Sequence, residues 1–142
     1  MKRAERSAEI DAAPHDCFAA LLDYESFPDW QRAVKSVEVL SRDAEGRGRD
    51  VEFRIDAKVK QVRYVLRYSY EPPRRIAWEY VEGDVKDVSG EFLLEGAATG
   101  GTLATYSIGL DAGVWMPGPI RKVLTDQVMK GAVDDLARRV TR

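Results

Sequence analysis

Apolar and polar residues alternate with a period of two along most of this chain, and with a period near 3.6 in two places. Arg3 to Ile10 sets Ala4, Ala8 and Ile10 against Glu5, Ser7 and Glu9, which predicts a short strand with one wet face. Pro14 then opens a helix through Leu22, with Phe18, Leu21 and Leu22 as its apolar side. Proline and Asp16 suit a first turn, where an amide has no intrahelical partner and the helix dipole is positive. Tyr24 to Trp30 follows. Pro28 disfavours helix at Phe27, so one short turn and then a bend are expected, with Phe27 and Trp30 plugging one end of the core.

Val34 to Leu40 predicts a second strand, with Val37 and Val39 around Glu38. Arg42 to Gly48 is polar, carries two glycines and predicts a hairpin turn. Asp50 to Val59 alternates Val51, Phe53, Ile55, Ala57 and Val59 with Glu52, Arg54, Asp56 and Lys58. Gln61 to Tyr70 alternates Val62, Tyr64, Leu66, Tyr68 and Tyr70 with Arg63, Val65, Arg67 and Ser69. That parity puts Arg63 and Arg67 outside, unless a β-bulge reverses it. Pro72-Pro73 ends the strand. Ile76, Trp78 and Tyr80 share the inner side of the next strand; Val88, Gly90, Phe92 and Leu94 that of another; Ala104, Tyr106, Ile108 and Leu110 that of the last.

Pro117 to Val140 predicts one long C-terminal helix, its start marked by Pro117-Gly118-Pro119 and no further proline following. Its apolar residues form two sets, Ile120, Val123, Leu124 and Val128, then Met129, Ala132, Val133, Leu136, Ala137 and Val140. At about 100° per residue the two sets do not share a face. A kink near Lys130-Gly131 is therefore expected, with the second half docked on a sheet. The first half faces a cavity, a loop, a partner, a lipid surface or simply more core. Asp134-Asp135 and Arg138-Arg139 read as a solvated face.

Sequential hairpins imply an antiparallel sheet, and alternation implies that one of its faces is wet. The fold class is then α+β. A curved antiparallel sheet wraps around a long C-terminal helix, with two short helices after the first strand. One domain spanning 1–142 fits the length.

Composition narrows the chemistry. Net charge is −2, which gives no reason to expect nucleic acid as a partner. Cys17 is alone, so the chain forms no internal disulfide, and a cytoplasmic setting fits. The N-terminus, Met1-Lys2-Arg3-Ala4-Glu5-Arg6, lacks the apolar segment of a signal peptide, and no run approaches a membrane span. His15 is the only histidine, so metal is not expected at a histidine-cysteine site and serine catalysis has no evident base. Cys17 reads as a small buried hydrophobe. No glycine-rich phosphate loop follows a strand, and no cofactor is expected.

Several stretches together resemble the START-like superfamily, and within it the bacterial polyketide cyclase/dehydrase and lipid-transport proteins. One is the strand into Ile10-Asp11-Ala12-Ala13-Pro14 with the helix through Phe18. A second is Asp23-Tyr24-Glu25-Ser26-Phe27-Pro28-Asp29-Trp30, followed by Val34 and Val37-Glu38-Val39-Leu40. The others are Ile76-Ala77-Trp78-Glu79 with Val81-Glu82-Gly83, and Gly101-Thr102 with Thr105-Tyr106 ahead of the final helix. The resemblance covers essentially the whole chain and implies the helix-grip fold. Its members range from lipid, sterol and quinone binders through aromatase/cyclases to a ribosome-associated toxin, so the fold cannot select the function.

What the resemblance adds is a cavity between the sheet and the C-terminal helix. Phe53, Tyr64, Leu66, Tyr68, Trp78, Tyr80, Phe92 and Tyr106 are the expected ligand-binding residues on the sheet, with Met129 and Val133 on the helix. Apolar walls with a few hydroxyls suit a flat or elongated hydrophobic molecule such as a lipid, quinone or polyketide. The alternative to a cavity is that these aromatics fill the space. The leading expectation is a carrier or sensor. An enzyme of cyclase or dehydratase type is the first alternative, with Tyr64 and Tyr68 as candidate proton donors. A protein-interaction module resembling the ribosome-associated toxins is the second. Trp115 and Met116 lie among glycines and prolines just before Arg121-Lys122, and are candidates for a transient membrane contact or a gate. Folding back onto the core is the competing reading for Trp115.

Overall fold

The computed structural model describes residues 2–57, 60–113, 116–129 and 131–141, with backbone alone at 2 and 127–129. Alternation sorts seven strands into one antiparallel sheet: β1 (Lys2–Ile10), β2 (Val34–Arg42), β3 (Gly48–Asp56), β4 (Gln61–Glu71), β5 (Arg75–Gly83), β6 (Asp87–Gly96) and β7 (Thr102–Asp111). Their order is β1-β7-β6-β5-β4-β3-β2. Five hairpins account for β2 to β7. The first strand instead pairs with the last, from Lys2↔Leu110 to Ile10↔Thr102. The span from β1 to β2 is bridged by α1 (Pro14–Leu22), a tight turn at Tyr24–Ser26 and α2 (Phe27–Trp30).

Alternation also decides what each face buries. Val51, Phe53 and Ile55 of β3 and Val62, Tyr64 and Leu66 of β4 enter the core. On the opposite face Arg63 reaches Glu52 at 2.8 Å and Glu82 at 2.7 Å, and Arg67 holds Asp50 through two bonds of 2.8 and 3.0 Å. The two arginines are therefore outside, as their parity predicts. The β2–β3 pair shifts register near Val34 and between Val39 and Arg42, and in the β4–β5 pair a bulge falls on β5. Tyr64 pairs with Gly83 and Val65 with Glu82, whereas Leu66 pairs with Tyr80, which leaves Val81 as the extra, solvent-exposed residue.

One local expectation needs correction. Phe27 is helical (φ −52°, ψ −40°) despite the proline after it. Pro28 lies in the first turn of α2, where its missing N–H removes no helix bond, and the bend falls at Gln31 instead. The C-terminal helix is not one regular rod. It comprises α3 (Gly118–Val123), a wide π-helical stretch at Leu124–Met129 and α4 (Ala132–Val140). The break at Gly131 is where the apolar stripe changes side; Lys130 lies outside the described residues, as do Lys58 and Val59. Ile120 and Leu124 are buried, so the first stretch faces core. The second docks through Ala132, Val133 and Leu136, with α4 packed on α1, α2, β1 and β7.

Candidate functional site

The inner face of the sheet, the α1–α2 segment and α4 do not meet completely. They leave a cavity of about 70 Å³. Phe53, Tyr64, Leu66, Tyr68, Trp78, Phe92 and Tyr106 line it from the sheet. Leu21, Tyr24, Phe27 and Gln31 close one side, and Ala132 and Asp135 of α4 another. This volume suits about two water molecules and is well below the several hundred Å³ of a typical ligand pocket. Most of the space between sheet and helix is thus filled by the aromatic side chains themselves.

Those rings form a continuous wall. Phe53 stacks on Tyr68 at 6.3 Å and 23°, Tyr68 meets Trp78 at 5.9 Å, Trp78 meets Tyr106 at 5.6 Å, and Tyr106 meets Phe92 at 4.7 Å. Tyr24 stands edge-on to Tyr68 at 4.8 Å. Offset and edge contacts of this kind add attraction beyond burial alone. Gly90 makes room for the wall: a Cβ there would lie 2.9 Å from Trp78 Cζ2 and 2.3 Å from the Ser107 carbonyl oxygen.

The polar atoms in this wall are few. Among the described residues, no hydrogen bond reaches the Tyr64 or Tyr68 hydroxyl. Burial pushes both phenols well above their ordinary value, as it does that of Tyr106. They remain neutral donors throughout the physiological range. The indole Nε1 atoms of Trp78 and Trp30 are buried and likewise without a partner among the described residues. Asp135 is 3% exposed and lines the cavity. Its carboxylate accepts the backbone N–H and Nε–H of Arg32 at 3.3 and 3.0 Å and a guanidinium bond from Arg138. It was expected on a solvated face; in the fold it clasps α4 to the loop after α2.

Seven of the eight expected sheet residues border the cavity. Tyr80 does not: its hydroxyl donates to the Val85 carbonyl at 2.7 Å and closes the β5–β6 turn. Val133 is buried in α4 but is not part of the lining. The Met129 side chain and Trp115 lie outside the described residues. Met116 is 5% exposed and sits in the core. Arg121 is not a free basic neighbour, because it donates to the Met116 and Gly113 carbonyls at 2.8 and 2.6 Å. Twelve lining residues lie outside the expected set, among them Tyr24, Gln31, Ile55 and Asp135. Ile55 was legible from parity with Phe53, and Asp135 from its place three residues after Ala132 on the apolar stripe.

Other groups stay outside the chemistry. His15 is exposed, and Cys17 is buried with its thiol pushed up by that burial. Among the described residues no three of His, Cys, Asp and Glu are placed to hold a metal, and no helix is long and apolar enough to cross a membrane.

The family model described as polyketide cyclase / dehydrase and lipid transport matches residues 1–142. The chain belongs to that family. No curated protein matches this cyclase/dehydrase and lipid-transport family member by sequence. Its fold recurs widely among solved structures. A START superfamily protein from Mycobacterium smegmatis is similar at 18% identity and TM-score 0.84, over 98% of this chain and 97% of that one. Zhui aromatase/cyclase from a Streptomyces species is similar at 20% identity and TM-score 0.80, over 99% and 94%. A STAR-related lipid transfer protein from Xanthomonas axonopodis is similar at 16% identity and TM-score 0.73, over 99% and 86%. At these identities the likeness establishes the helix-grip fold. Family and fold together fit either a hydrophobic-ligand role or cyclase activity.

Proposed function

We propose that the protein binds a hydrophobic small molecule of lipid, quinone or polyketide type between the sheet and α4, as a carrier or sensor. The observation that supports this reading is the pair of hydroxyls at Tyr64 and Tyr68, which face an apolar cavity with no hydrogen-bond partner among the described residues. Neither hydroxyl is sealed in packed core: among the described residues the fully buried polar side-chain atoms without a partner are the indole nitrogens of Trp30 and Trp78. Kept neutral by burial, the phenols supply donors for a carbonyl or ether oxygen in the ligand.

The test is native mass spectrometry of freshly purified protein, followed by denaturing extraction. A near-stoichiometric hydrophobic mass is the expected result and identifies the ligand class. A protein that is empty and also fails to bind a hydrophobic fluorescent dye overturns the reading.

The neutral phenols also favour a second reading, a cyclase or dehydratase. A shaped cavity would fold a reactive chain and Tyr64 or Tyr68 would donate the proton. Turnover of a polyketide-like substrate that disappears in Tyr64→Phe or Tyr68→Phe, with the fold intact, selects it. Binding without turnover returns the carrier.

A further inference from the structure

A larger cleft of about 770 Å³ opens on the outer side of the sheet, over Arg67, Ser69, Ala77 and Glu79, and shares Tyr68 and Trp78 with the cavity on the inner side. Beside the cleft β4 outruns β3, which ends at Gly48. β3 and β4 pair from Asp56↔Gln61 only as far as Asp50↔Arg67. Beyond that point β3 continues with β2 to Arg42↔Gly48, and β4 continues with β5 to Glu71↔Arg75. The two hairpins diverge, and the gap is spanned by side chains. The Tyr70 hydroxyl donates to the Gly48 carbonyl at 2.5 Å and lies 2.7 Å from the Tyr24 hydroxyl, which donates to it. A Cβ on Gly48 would lie 2.9 Å from the Tyr24 ring, so the glycine lets that ring close against β3. Two side-chain bonds thus do the work that a backbone ladder does elsewhere in the sheet, and opening them leaves every strand pair intact.

The cleft is lined by Arg42, Arg47, Arg49 and Arg67, and by the carboxylates of Asp43, Glu45 and Glu79. Arg42 is paired with Glu25 and Arg67 with Asp50. The Asp43 carboxylate accepts the backbone N–H groups of Glu45 and Arg47. Among the described residues Arg47 and Arg49 have no carboxylate partner. Arg47 stands closest to the plug: it is half-buried, with its guanidinium 5.7 Å from the centre of the Tyr70 ring. Glu45 and Glu79 are exposed.

We propose that this split is the portal of the cavity. The cleft holds the acidic end, carboxylate or phosphate, of an amphipathic ligand whose apolar body occupies the cavity, and Arg47 anchors that end. The inference rests on the ligand-binding reading and adds the ligand's charge and its route. A guanidinium fits either acid through two parallel bonds. A ligand placed this way draws on both spaces, which removes the conflict between a cavity of about 70 Å³ and a substantial ligand.

The experiment is displacement of the neutral dye N-phenyl-naphthylamine by decanoate, decyl phosphate and decanol, for the parent protein, Arg47→Gln and Tyr70→Phe, with circular dichroism to confirm folding. Both acids should bind about tenfold more tightly than the alcohol. Arg47→Gln should remove that advantage and leave decanol unchanged. Tyr70→Phe should speed dye association and release several-fold, because the plug loses its bond to Gly48. The tighter of the two acids identifies the end group. Equal affinities for acid and alcohol, or an acid affinity indifferent to Arg47→Gln, overturn the anchor; unchanged rates in Tyr70→Phe overturn the portal. Failure of the dye and all three decyl compounds to bind defeats the ligand reading itself.

Discussion

The two faces of β4 treat their polar groups in opposite ways. On the outer face Arg63 and Arg67 each hold carboxylates of neighbouring strands, in water, where such pairs contribute little to stability. On the inner face Tyr64 and Tyr68 carry hydroxyls into an apolar wall without a partner among the described residues. The outer groups are satisfied by each other and by bulk water, whereas the inner hydroxyls have only the cavity to turn to. One strand thus carries ion-paired side chains on one face and hydroxyls that line a cavity on the other.

The comparison is broken most severely at Trp78, whose ring joins Tyr68 to Tyr106 and lies over Gly90. Trp78→Ala should cost about 3–5 kcal/mol, read from chemical denaturation. A loss under about 1 kcal/mol would mean that the wall is not part of the core.

Alkaline titration ranks second. Burial raises the phenols of Tyr24, Tyr64, Tyr68 and Tyr106, and brings Tyr70 to about 12, from an ordinary value of 10.0. Between those values the unfolded chain has released protons that the folded one retains. Stability is thus fully present below pH 10 and falls as pH rises through the window, by about 1.4 kcal/mol per pH unit for each such group. Tyrosinate absorbance should appear together with loss of near-ultraviolet dichroism. Gradual tyrosinate formation in an intact fold would show that the inner face is wet.

The finest test sets Tyr64→Phe against Arg67→Ala. Tyr64→Phe should leave stability unchanged or raise it by up to about 1 kcal/mol, while weakening the ligand about tenfold. Arg67→Ala should leave the melting temperature and ligand affinity unchanged within error. A substantial loss of stability in Tyr64→Phe would give its hydroxyl a structural partner and remove the contrast.

Much of this architecture was legible beforehand, and for identifiable reasons. Parity placed Phe53, Tyr64, Leu66, Tyr68, Trp78, Phe92 and Tyr106 on one face, because side chains of a strand can point only two ways. Proline and glycine marked most turns. The misreadings arose where two elements meet. Tyr80 has the right parity but bonds to Val85 across a turn. Asp135 sits beside Asp134 in the chain, yet the approach of Arg32 from the loop after α2 makes it a buried clasp.

The order of apolar and polar residues alone determined the α+β class, the hairpin series, the inner face and the break near Gly131, because each follows from the geometry of a single strand or helix. Tertiary structure decided the bulge at Val81, the pairing of β1 with β7, the burial of Met116, the split between β3 and β4, and the size of the cavity. Each of these depends on how far side chains from separate elements reach toward one another. An empty volume of about 70 Å³ is the small remainder after all of them have packed, and no periodicity encodes a remainder.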